Sequence, residues 1–268
     1  TVTAADATGA SDTLKIRQKL NGSVDNVINA VAGIENISVE VYDTAGTTNV
    51  AGFTLTGFRG TTATFTQNAL SNNAVTVDMA GTTLYKTVDT ITATGLKGPF
   101  TATATNALNA VTMNVQGAGI QTLAGGSKAD TFTIGSTGAI THAITGNGGK
   151  DITNITAAAG LANVGSIDTE TINITIPVAI DNTYSTSFGT GVDYVNVIGG
   201  NSLSTVAVGA IVDAVKTVNA GEFLGNITAT IANDKLDSTV TITGGPLLTD
   251  VVSNTVATAA TTYSMNST

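Results

Sequence analysis

Two glycine–aspartate turns near the middle of this 268-residue chain hold the residue types best placed to do chemistry. In Leu123-Ala124-Gly125-Gly126-Ser127-Lys128-Ala129-Asp130-Thr131-Phe132-Thr133 a glycine pair precedes an aspartate, and a large apolar residue follows the aspartate two positions later. Gly146-Asn147-Gly148-Gly149-Lys150-Asp151-Ile152-Thr153 repeats the theme, with Asp151 standing 21 residues after Asp130. This spacing suits coordination of a divalent cation. Calcium takes roughly six to eight oxygen ligands. Glycines let the backbone turn tightly enough for carbonyl oxygens to converge, and the aspartate adds a charged donor. One turn supplies half a site, so two turns on adjacent coils of a stacked chain would complete it. The expected set is Gly125, Gly126, Lys128 (at the position of a third glycine) and Asp130, with Gly146, Asn147, Gly148, Gly149 and Asp151. Two segments carry part of the pattern, Gly9-Ala10-Ser11-Asp12-Thr13-Leu14 and Gly189-Thr190-Gly191-Val192-Asp193-Tyr194-Val195. Asp12 and Asp193 are further candidate ligands, and both segments also read as plain turns.

Other chemistries find little to work with. The single histidine, His142, lies between the two turns, and arginine occurs only as Arg17 and Arg59. No cysteine is present, which removes disulfides, thiolate metal sites and thiol nucleophiles. No serine stands in a Gly-x-Ser-x-Gly elbow. The expectation is a protein that is not an enzyme. A net charge of −9 argues against nucleic acid, which is bound by basic surfaces. No run of 18 apolar residues predicts a transmembrane helix. Thr1 to Ala10 lack a basic segment followed by an apolar one, so the expectation is an excised fragment or a chain exported by a signal lying outside it.

The elements that must position the turns are strands. Apolar and polar residues alternate in Phe53–Thr56, Ala74–Met79, Thr171–Ile176, Asn226–Ile231 and Thr239–Thr243, the period of a half-buried strand. Glycine, asparagine and aspartate punctuate these runs. Helical periodicity is weak; Val24–Ala32 and Val206–Val218 are the best helix candidates and fit strand and loop as well. Charged residues are only 11% and aromatic residues 4% of the chain, so a core must come from many small stacked side chains. That favours an all-β fold of elongated β-solenoid or β-roll-like modules, with tandem β-sandwich modules as the alternative.

Internal similarity supports repetition. Ser11-Asp12 matches Lys150-Asp151, Ile34 matches Ile167, Lys86-Thr87-Val88-Asp89 matches Lys216-Thr217-Val218-Asn219, and Val111-Thr112-Met113-Asn114 matches Val240-Thr241-Ile242-Thr243. The offsets drift slowly, through 139, 133, 130 and 129 residues. Two tandem modules are expected, residues 1–122 and 152–268, joined by the calcium-type turns at 123–151. A shorter echo inside the first module relates Thr64–Leu70 followed by Val75–Asp78 to Thr103–Leu108 followed by Val111–Asn114.

The 125–130 turn resembles the nonapeptide repeat Gly-Gly-x-Gly-x-Asp-x-U-x of RTX proteins, U being apolar. The acid-centred strands Gly33-Ile34-Glu35-Asn36-Ile37 and Glu170-Thr171-Ile172-Asn173-Ile174 follow the same lines. Together with low charge, absent cysteine and abundant threonine, alanine, asparagine and glycine, the order of features is similar to the C-terminal region of bacterial surface-layer (S-layer) proteins of the RTX type exported by type I secretion. That resemblance implies a secreted cell-surface protein, calcium-driven folding, and self-assembly through lattice contacts. It also implies attachment to outer-membrane glycolipid through regions outside this chain. An RTX-type adhesin or extracellular glycan-binding module is the alternative. An ice-binding face ranks lower, because the Thr-x-Thr units do not recur at one fixed coil length.

Overall fold

The computed structural model describes residues 12–19, 26–29, 34–42, 53–56, 60–67, 75–78, 88–136, 142–157, 165–178, 183–189, 191–211, 215–231, 240–245, 251–254 and 261–265. Among these the chain is all strand and turn, with no helix. Contacts divide it into two compact units, Thr1–Thr133 with Thr145–Gly149, and Ile134–Ile144 with Lys150–Thr268.

The first ten strands are β1 (Thr13–Lys19), β2 (Asn26–Asn29), β3 (Asn36–Tyr42), β4 (Phe53–Thr56), β5 (Thr62–Gln67), β6 (Val75–Asp78), β7 (Thr90–Leu96), β8 (Phe100–Thr103), β9 (Thr112–Gly117) and β10 (Gln121–Ala124). Then come β11 (Thr131–Ser136) and β12 (His142–Thr145). The remainder are β13 (Ile152–Thr156), β14 (Gly165–Asp168), β15 (Thr171–Ile176), β16 (Thr183–Phe188), β17 (Tyr194–Gly199), β18 (Thr205–Ile211), β19 (Thr217–Phe223), β20 (Asn226–Ile231), β21 (Val240–Gly244), β22 (Val251–Asn254) and β23 (Thr261–Met265). Each coil gives one strand to each of two parallel sheets. In the first unit the orders are β1-β3-β5-β7-β9 and β2-β4-β6-β8-β10; in the second they are β13-β15-β17-β19-β21-β23 and β14-β16-β18-β20-β22. This is a β-solenoid of the β-roll kind, and the β-sandwich alternative does not apply.

The two helix candidates are strands where described. Val24–Ala32 contains β2, and Val206–Val218 contains most of β18 and the start of β19. Their valines and isoleucines favour strands, and β18 gains a parallel partner on each side, β16 and β20.

Register places like on like. Ile37, Ala63, Ile91 and Met113 stack across β3, β5, β7 and β9. Ile172, Val195, Val218 and Ile242 do the same across β15 to β21. All eight are buried. Larger side chains fill the first unit, where Phe65 lies 6.4 Å from Phe53 and 6.0 Å from Phe100, ring centre to ring centre.

Coils vary in length, from the 19-residue step between Ile152 and Thr171 to the 28-residue step between Thr62 and Thr90. The corners absorb the difference and the strands stay in register. Threonines therefore align on the outward face despite unequal coils, Thr62 with Thr90 with Thr112, and Thr64 with Thr92. Unequal coil length is thus no obstacle to hydroxyl rows, but Asn114 ends the second row after Ser38, Thr64 and Thr92.

The internal repeat has a structural meaning. Asp12 and Asp151 directly precede β1 and β13, Thr101–Thr103 lies in β8 and Thr228–Thr230 in β20, and Met113 and Ile242 lie in β9 and β21. These pairs fall on or directly before strands twelve places apart, which is six coils; Ile34 and Ile167 do not, since Ile34 precedes β3 and Ile167 lies in β14.

Candidate functional site

Asp130 organises the corner between β10 and β11. Its side chain is buried, with residue exposure of 1%. Its Oδ1 accepts a hydrogen bond from the Val111 N–H at 2.6 Å, and its Oδ2 accepts one from the Gly126 N–H at 2.6 Å. Val111 stands just before β9, one coil earlier, so the carboxylate ties its own turn to the preceding coil. Gly125 must lack a side chain: a Cβ there would strike Asp130 Oδ2 and come within 2.9 Å of the Gly146 carbonyl oxygen.

The following coil closes over this turn. The Gly125 N–H donates to the Thr145 carbonyl at 2.9 Å, and Asn147 Nδ2 donates to the Gly125 carbonyl at 2.7 Å. Asn147 has φ of 74° and Gly149 has φ of 116°. Asparagine is among the few residues with a side chain that visit the left-handed region readily. Gly149 also packs against the Lys128 carbonyl, leaving no space for a Cβ. The structure thus brings Gly125, Gly126, Lys128 and Asp130 together with Gly146, Asn147, Gly148 and Gly149 as two stacked turns. Lys128 is exposed and outside the left-handed region, which is how a lysine occupies a position expected for glycine.

The electrostatics of this corner are unusual for a carboxylate. Burial pushes the Asp130 pKa upward, and the two backbone N–H bonds, from Val111 and then Gly126, pull it back only in part. A cation beside Asp130 would oppose the effect of burial. The oxygen donors of the corner are the Asp130 carboxylate, each of whose oxygens also accepts an N–H bond, and the main-chain carbonyls of the two stacked turns, the hard donor type that calcium takes. Among the described residues no group of three or more acidic or histidine side chains is placed to hold a metal. A calcium ion here would therefore draw most of its ligands from backbone oxygens.

The other sequence candidates lie in different settings. Asp151, buried and in the second unit, donates its backbone N–H to Glu170 Oε2 at 2.7 Å and accepts the Thr171 N–H on its carbonyl at 3.0 Å. Asp12 does the same in the first unit, with Glu35 Oε2 at 2.8 Å and the Asn36 N–H at 2.9 Å. In both repeats an acid on the next coil reaches back to cap the corner. The Asp193 carboxylate meets Lys216 Nζ at 2.8 Å, so a side chain of the next coil balances its charge. The glycine of that partial motif serves a different acid: the Gly191 N–H donates to Asp168 Oδ1 at 2.6 Å.

Set against family models, curated proteins and solved structures, the chain matches none. The chemistry of the corner therefore rests on its geometry.

Sequence reasoning missed four capping residues: Glu35, Glu170, Asp168 and Gln67. Gln67 Oε1 accepts the Lys97 N–H at 2.9 Å and the Gly98 N–H at 3.4 Å. The only signal for the glutamates was an acid set directly before a strand, as in Ile34-Glu35-Asn36 and Thr169-Glu170-Thr171.

His142, between the turns in β12, points into the interior with 1% exposure. Burial lowers its pKa to about 4 from an ordinary 6.5. The unfolded chain thus takes up this proton more readily than the folded one. The associated stability is complete above pH 6.5 and is lost as pH falls toward 4, a swing on the order of 3 kcal/mol. Urea melts at pH 7, 5.5 and 4 should show this acid-side loss, and His142→Gln should flatten it.

Proposed function

We propose that the chain is a non-catalytic structural segment of a bacterial surface layer, exported by type I secretion and set outside the cell by calcium at the Asp130 corner. The observation that carries the reading is the corner itself. A buried carboxylate joins its own turn to the coil before, while the turn after it stacks on top, so a cation held there would brace three successive coils of the solenoid. A ligand that binds only the folded state stabilises that state by mass action. Low calcium inside the cell would leave the chain pliable for passage through a channel, and high calcium outside would fix it. The parallel solenoid suits this role because each coil needs only its neighbours for support. Low charge and threonine-rich outward strands suit lateral packing of copies into a lattice.

The test is assembly. Purified chain dialysed from chelator into millimolar calcium should form ordered sheets or filaments visible by negative-stain electron microscopy, and chelator should disperse them. Monomeric particles under both conditions would remove the lattice reading.

A further inference from the structure

We propose that the outward face of β15, β17 and β19 carries a binding site for one residue of a neutral saccharide, at the point where a ladder of asparagines breaks off. The ladder runs across four parallel strands, with Asn154, Asn173, Asn196 and Asn219 in register. Asn173 Nδ2 donates to Asn154 Oδ1 at 2.8 Å, and Asn196 Nδ2 donates to Asn173 Oδ1 at 2.8 Å. The next rung fails. Register shifts between β17 and β19, where Asn196 pairs with Asn219 but Ile198 pairs with Glu222, so β19 carries an extra residue. Asn219 Oδ1 turns instead to the Gly221 N–H at 3.2 Å. A bulge of this kind re-aims side chains and interrupts a flat sheet.

The interruption leaves a cavity of about 230 Å³ lined by Asn173, Asn196, Val197, Ile198, Asn219 and Glu222. That is roughly the volume of seven waters, enough for a sugar ring. With the ladder stopped, Asn196 Oδ1 and Asn219 Nδ2 are available beside it, an acceptor and a donor, and Glu222 adds a carboxylate. Amides and a carboxylate match the paired donor and acceptor character of neighbouring hydroxyl groups. Tyr194 and Ile198 are half-exposed and share this face of β17 with Asn196, giving apolar surface for the C–H side of a ring. Among the described residues no basic side chain lines the cavity, which disfavours an anionic ligand. Its single carboxylate, with two of three amide oxygens already accepting N–H bonds, is a poor match for the roughly six to eight oxygens calcium takes.

The test uses the full chain on an array of neutral oligosaccharides with gluco-, galacto- and manno-configured residues, followed by titration calorimetry with the best binder. Binding to at least one neutral chain is expected. Asn219→Ala and Glu222→Ala, both at exposed positions, should each weaken it about tenfold or more with unchanged thermal unfolding. Binding to no neutral chain, binding by both variants as tight as by the wild type, or a calcium site lost in Glu222→Ala would each overturn the proposal. The cavity shares no residue with the Asp130 corner, so failure of lattice assembly leaves this test unaffected.

Discussion

Replacing Phe65 with alanine is expected to cost about 3–5 kcal/mol, enough to unfold much of the first unit's solenoid. The ring is fully buried and bridges the two sheets' contributions to the core, tilted at 55° to both Phe53 and Phe100. Its parallel neighbours on β3 and β7 are Val39 and Ala93, too small to close around the void. A chain with only 7 phenylalanines and no tryptophan has few other large groups to compensate. Urea unfolding followed by circular dichroism checks this. A loss below about 1 kcal/mol would mean that the coils stand on backbone pairing and small side chains alone.

Asp130→Ala is expected to cost on the order of 2–5 kcal/mol, because it strands the buried N–H groups of Val111 and Gly126. The pH profile carries a second signature. Since burial raises the Asp130 pKa above 3.8, the folded chain holds that proton more tightly than the unfolded chain. The stability this gives is present in acid and declines as pH rises from 3.8 through the folded pKa. Calcium favours the ionised form and should flatten the decline. His142 acts in the opposite direction over part of the same range, so the difference between wild type and Asp130→Ala isolates the aspartate. An alanine variant with wild-type stability in chelator would contradict the capping role.

The strands were legible because their side chains alternate locally. Thr171–Ile176 and Asn226–Ile231 read from the sequence coincide with β15 and β20. The pairing of strands was less legible, since parallel partners lie 19 to 28 residues apart and no short pattern marks them. The echo between Thr64–Asp78 and Thr103–Asn114 misleads for this reason: it sets β5 and β6 against β8 and β9, whereas β6 pairs with β8. Both sheets alternate alike, so similarity alone does not say which sheet a strand joins. At the site, glycine and aspartate spacing pointed to the stacked turns at 125–130 and 146–149. The acids that cap other corners were hidden, because Glu35, Glu170 and Asp168 bond to backbone groups 19 to 23 residues away. The broken asparagine ladder was hidden too. Asn154, Asn173, Asn196 and Asn219 become one row only after register is known, and the extra residue in β19 leaves no mark in composition.

The most direct measurement of the central claim is thermal unfolding of the wild-type chain and of Asp130→Ala by circular dichroism, in excess chelator and in millimolar calcium. The calcium-set corner predicts that calcium raises the melting temperature of the wild type markedly and that of Asp130→Ala little. Equal melting of the wild type with and without calcium would show that hydrogen bonds alone hold the stacked turns together, and that the solenoid needs no ion to set it.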